Sequence, residues 1–151
     1  MAFIGNLVAA QTASAIGKYN AAVNTEQAKY WNKKAEQDRA IFHQLDRPRL
    51  VKQQNRDYSN FFVNTLMTGA EFSGTNYAMA LAYKIEQGTD LVIADHNESI
   101  AFMENRNQSL LYETKALGDI YKGRLGAATE YAKASGSLLS MANKHYGWIG
   151  K

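Results

Sequence analysis

Eight basic residues and three acidic ones lie between Lys29 and Arg56, whereas five acidic residues and no basic one lie between Glu86 and Glu104. A chain doubled back at Glu71-Phe72-Ser73-Gly74 sets these two blocks face to face. Arg47 then lands opposite Glu98, and Arg56 lies close to Asp90. This mirror arrangement predicts an all-α fold: a long antiparallel helical hairpin. Arg47, Arg49, Lys52 and Arg56 on one arm would set register against Glu86, Asp90, Asp95 and Glu98 on the other. Exposed ion pairs are worth about 0–1 kcal/mol each, so they choose a register more than they stabilise it.

A single proline in 151 residues argues against a turn-rich β or α/β domain. The length allows one domain, residues 1–151. Residues 1–17 carry no charge and are rich in small side chains. Residues 18–67 read as a first long helix, with apolar residues such as Tyr19, Val23, Tyr30, Trp31, Phe42, Leu45, Tyr58, Phe61, Phe62 and Leu66 recurring at helical steps. Pro48 lacks an N–H and crowds the preceding turn, which predicts a kink or break there. Residues 68–76 hold Gly69, Ser73 and Gly74 and read as the turn, with Ser73 or Thr75 capping the second helix. Residues 77–144 form that second helix, its stripe running through Leu81, Ile85, Val92, Ile93, Ile100, Met103, Leu110, Leu111, Leu117, Ile120, Tyr121 and Leu125. Gly118, Gly123 and Gly126 mark its weakest stretch. Residues 145–151 are a tail with Tyr146 and Trp148 as anchors.

Helices of some 60 residues would reach on the order of 90 Å. Two such rods cannot shield their own apolar stripes, and apolar surface left in water forfeits about 25 cal/mol per Å². The chain is therefore expected to be a homo-oligomer. Gly5, Ala9, Ala13 and Gly17 are spaced by four, as are Ala128, Ala132, Gly136 and Ser140. The fold-back centre pairs Gly5 with Ser140, Ala9 with Gly136, Ala13 with Ala132, and Gly17 with Ala128. Small side chains let two helices approach closely, which makes these faces candidates for oligomer contact or membrane entry.

Catalytic and cofactor signatures are missing. There is no cysteine, and His43, His96 and His145 lack metal-ligand spacing. The carboxylates from Glu86 to Glu98 have no accompanying Glu-x-x-His pair. Gly69 to Gly74 is neither a phosphate loop nor a nucleophile elbow. The expectation is no enzyme, no metal and no cofactor. No secretory signal and no apolar run of transmembrane length stand out. A net charge of +3 is weak grounds for a nucleic-acid partner.

Several segments resemble a known family. They are Phe3-Ile4-Gly5-Asn6-Leu7-Val8-Ala9-Ala10, Asp46-Arg47-Pro48-Arg49-Leu50-Val51-Lys52-Gln53-Gln54, Ala94-Asp95-His96-Asn97 and the stretch from Tyr131 to Ser140. In layout the chain resembles the short internal virion proteins of autographivirus-type short-tailed bacteriophages, the "protein B" of the ejectable inner core. The resemblance implies a structural protein inside the capsid near the portal, beside the other internal core proteins. It implies ejection ahead of the genome and a part in a channel across the host outer membrane, with nucleic acid met only by proximity. Two other classes fit the residues: a static scaffold or adaptor at a portal or tail joint, and a nucleic-acid-binding helical module.

Overall fold

The computed structural model describes residues 2–69 and 74–146, and these are helical almost throughout, with no strand among them. Helix α1 is Ala2–Ile41, one π-helical turn covers Phe42–Asp46, α2 is Arg47–Met67 and α3 is Thr75–Tyr146. The uncharged residues from Ala2 onward are therefore the opening turns of α1, not a separate segment; nothing there breaks a helix. Of the expected tail, His145 and Tyr146 are the end of α3, whereas residues 147–151, with Trp148, and the Ser73 part of the turn lie outside the described residues.

Pro48 does not bring the expected break in the helix. The backbone stays right-handed helical at Ile41, Asp46 and Arg47, and the Arg47 N–H donates to the Phe42 carbonyl, five residues back. Pro48 comes next, in the first turn of α2, where a wider preceding turn eases the crowding of its ring.

At the turn, Gly69 (φ +71°) and Gly74 (φ +54°) both take left-handed conformations that side chains disfavour. Gly69 closes α2, its N–H donating to the Leu66 carbonyl at 3.0 Å, and the Gly74 carbonyl accepts the first bond of α3 from Ala78 at 3.1 Å. Thr75 is thus the first residue of α3 and not its cap.

The chain divides into two compact units, residues 1–31 with 108–151 and residues 32–107. In the first, α1 and α3 run antiparallel along a seam of small side chains. Ala10, Ala21, Ala28, Ala116, Ala127 and Ala134 are buried there, as is Ser109, whose Oγ donates to the Ala28 carbonyl at 2.9 Å. Gly17 and Gly123 meet back to back: a Cβ on Gly17 would sit 2.7 Å from the Gly123 Cα and 2.7 Å from the Asp119 carbonyl oxygen. This contact explains why Gly123 lies inside an unbroken α3 and does not interrupt it. Beside it, Asn24 Nδ2 donates to Asp119 Oδ2 at 2.7 Å.

In the second unit the arms are again antiparallel. Ala35 (0% exposed) and Ala80 are buried, and Gln54 and Gln87 bond each other's backbones. Tyr83 stacks on Phe61 and Tyr58, with centroids 5.8 and 6.3 Å apart. Inward positions on the first arm step by four or three through Arg47, Val51, Gln54, Tyr58, Phe61 and Thr65, but by five from Phe42 to Arg47. The π turn supplies that extra residue, so the stripe returns to the same face.

Candidate functional site

The largest side chains do not form the core. Leu81, Ile85, Val92, Ile93, Ile100 and Met103 on α3 are all exposed. So are Leu110, Leu117 (69%), Tyr121 (67%), Leu125 and Leu139 (71%). On the first arm, Trp31, Phe42, Tyr58, Phe61 and Phe62 face inward, whereas Tyr19, Val23, Tyr30, Leu45 and Leu66 face out. Most of the expected stripe on α3 is thus on the outer face, because alanine, glycine, serine and glutamine hold the fully buried inner positions, with Tyr83 and Ile120 half-buried beside them. Close helix approach at an alanine seam leaves no room for leucine. Exposed large apolar side chains in such number mark a contact surface in each unit.

The charge blocks do meet, in a different register. Arg47 grips Asp95, not Glu98, with Nε to Oδ1 at 2.8 Å and Nη2 to Oδ2 at 3.2 Å. The hydrogen bond from Arg47 holds the Asp95 carboxyl below its usual range; burial opposes this, and the Arg47 and His43 charges reinforce it. The same bond, with the Asp95 charge, raises Arg47. Glu98 is instead approached by Arg39 at 3.6 Å and His43 at 3.9 Å. Its side chain is 8% exposed, and its Oε1 accepts no hydrogen bond. Among the described residues, Arg49, Lys52, Arg56, Glu86 and Asp90 make no ion pair. The shift has a geometric cause. The helix ends Met67 and Thr75 are centred on residue 71, before the expected fold-back point.

The small-residue ladders divide in the same way. Gly17 faces Gly123, five positions before the expected Ala128, and Ala13 lies against Gly126, with Ala132 further on. Gly5 and Gly136 have nothing within 4 Å of a built Cβ, and Ala9, Ala128, Ala132 and Ser140 are exposed. Only Ala13 and Gly17 of the first ladder are therefore intrachain contacts, all four residues of the second are exposed, and Gly123 and Gly126, the partners actually met, belong to neither.

A depression of about 750 Å³ is lined by residues such as His43, Arg47, Val51, Lys52 and Arg56, all from one arm. No group of three His, Asp or Glu side chains among the described residues could hold a metal ion. No helix among them is long and apolar enough to cross a membrane.

No family model, curated protein or solved structure matches this chain. The surface itself is then the functional evidence. It consists of bulky apolar side chains facing outward along both arms, and a short basic row, Arg49, Lys52 and Arg56, without acidic partners.

Proposed function

We propose that this chain is a structural subunit: a helical hairpin that packs with copies of itself and with companion proteins to cover its outer apolar face. The observation that carries the reading is the inversion of bulk, with alanine inside and leucine, isoleucine and tyrosine outside. Leaving so many large apolar groups in water is unfavourable by about 25 cal/mol per Å², and assembly removes that penalty. The resemblance in layout extends the proposal. The assembly belongs to the internal core of a short-tailed phage, near the portal, and is ejected to help form the channel that carries the genome across the host envelope. A hairpin whose outer face is covered by different neighbours before and after ejection suits two packings a few kcal/mol apart.

Light scattering of the purified chain tests the assembly. Oligomers across micromolar concentrations are expected, and a monomer at every concentration would refute it. Dye release from phospholipid vesicles tests the channel. Release that Ala9→Glu abolishes is expected, and no release at any pH or lipid composition counts against it.

A second reading rests on the basic row. Arg49, Lys52 and Arg56 line one surface depression with Gln53, Asp57 and Asn60, three cations against one carboxylate, which leaves a net positive surface for a polyanion. Nucleic-acid binding through it would weaken steeply with salt; binding indifferent to salt excludes this reading.

A further inference from the structure

The outer face of α3 has an order of its own between residues 110 and 142. Leu111, Gly118, Leu125, Ala132 and Leu139 recur every seven residues. Thr114, Tyr121, Ala128, Ser135 and Ala142 recur three positions further on. All ten are uncharged, and all are exposed except Gly118, which is half-buried. The alternation of threes and fours is the spacing of a coiled-coil seam. It lies on the side of α3 away from Ala116 and Gly123, the residues turned toward α1. The helix thus carries two seams, one satisfied within the chain and one open.

We propose that a second copy of this chain fills the open seam, with the two α3 helices antiparallel about a two-fold axis near residues 126 and 127. This rests on the assembly reading and gives it a symmetry and a register. Side-chain volume is the first argument. In this register Leu111 meets the partner's Ala142, Thr114 the partner's Leu139, and Tyr121 the partner's Ala132. Leu125 meets the partner's Ala128. Four of the five kinds of layer set one larger side chain against one smaller, so those layers fill evenly. The smallest layer, Gly118 on the partner's Ser135, is flanked by Leu117 and the partner's Leu138. A parallel in-register pair does the opposite. It stacks Tyr121 on the partner's Tyr121 and Ala128 on the partner's Ala128, crowding some layers and leaving voids in others.

Charge is the second argument. Arg124 is the one charged side chain among the residues that flank the seam at every seventh position from Leu110 to Leu138. The antiparallel register sets it beside the partner's Tyr131, whose ring can accept a guanidinium face. On the other flank Lys115 falls beside the partner's Gly136, and Lys122 beside the partner's Thr129. No two like charges meet. A two-fold pairing that is self-complementary in both size and charge is what an isologous interface requires.

The chain has no cysteine, so engineered thiols report the register directly. Tyr121→Cys and Ala132→Cys, one on a longer tagged chain, are purified and oxidised separately and together, with light scattering on both. Both positions are exposed, so the fold tolerates the changes. A mixed-length disulfide dimer in the mixture, with little cross-linking in either variant alone, is the expected result. Strong cross-linking of each variant with itself would point to a parallel pair and overturn the proposal. Oligomers by light scattering with no mixed disulfide would overturn this register while leaving the assembly reading intact. A monomer in solution that moves onto phosphatidylethanolamine–phosphatidylglycerol vesicles would make lipid the occupant and end both.

Discussion

Gln54 and Gln87 exchange bonds across the second unit: Gln54 Nε2 donates to the Gln87 carbonyl at 3.0 Å, and Gln87 Nε2 donates to the Gln54 carbonyl at 2.6 Å. Both side chains are buried. The pair pins α2 to α3 at one register, because a shift of either helix breaks both bonds. Gln54→Leu or Gln87→Leu alone is expected to lower stability by about 1–2 kcal/mol in urea unfolding, as one bond is lost beside a buried polar neighbour. Each amide bonds the other residue's backbone carbonyl, which either replacement leaves in place, so the double replacement is expected to cost about the sum of the two. A marked departure from additivity would show that each bond depends on the other side chain.

The Gly17–Gly123 contact predicts opposite outcomes for one kind of substitution. Alanine normally favours a helix by about 1 kcal/mol over glycine. At Gly17 its Cβ would press on backbone atoms at 2.7 Å, and neither arm can yield without separating. Gly17→Ala and Gly123→Ala are expected to destabilise by about 1–3 kcal/mol. Gly5→Ala and Gly136→Ala, which meet open space, are expected to stabilise by about 0.5–1 kcal/mol. Thermal melts monitored by circular dichroism separate the two classes.

Asp95 makes stability depend on acid. Its folded pKa is lowered from the ordinary 3.8, chiefly by the hydrogen bond from Arg47. A depressed carboxyl contributes stability that is present above the unfolded value and is lost as pH falls through the folded one. The contribution is therefore complete at neutral pH and disappears below about pH 4. Unfolding measured from pH 7 down to pH 2 is expected to fall less steeply in Asp95→Asn than in the native chain. Equal slopes would show that the Arg47 pairing does not bias Asp95.

The π turn answers to the inward stripe, with Pro48 as a consequence. Pro48→Ala is therefore expected to leave the Phe42–Asp46 turn in place, because Phe42 and Arg47 both still need to face α3. Deleting Gln44 in that background removes the extra residue and is expected to restore an ordinary helix with the same stripe. Amide hydrogen exchange across His43–Arg47 distinguishes the two: fast exchange persists in the first variant and slows in the second.

Composition and pattern reveal the helices, the position of the turn near Gly69 and Gly74, and the fact that the basic and acidic blocks face each other. Register is less legible, for two physical reasons. Exposed charges such as Arg49, Lys52 and Arg56 tolerate several pairings at nearly equal energy, so they cannot fix which carboxylate Arg47 takes. Glycine, alanine and serine make up 41 of the 151 residues, so four-residue ladders such as Gly5 to Gly17 recur without specifying a contact. The better signal is the seven-residue spacing of Ala21, Ala28 and Ala35. Weighting side chains by bulk hides it, because bulk directs attention to Leu81, Ile85 and Leu117, which face outward. The π turn is hidden too: a stripe that skips by five at Phe42 looks like two unrelated stripes until the partner arm is in view.

An interior built from methyl groups has a thermodynamic signature. Folding alone leaves many large apolar side chains in water, so part of the heat-capacity change of unfolding should appear only when protomers come together. The melting temperature would then rise with protein concentration, as mass action demands of a fold completed by its neighbours. Diluted far enough, the chain would lose its helices to solvent well before any single hydrogen bond had been weakened.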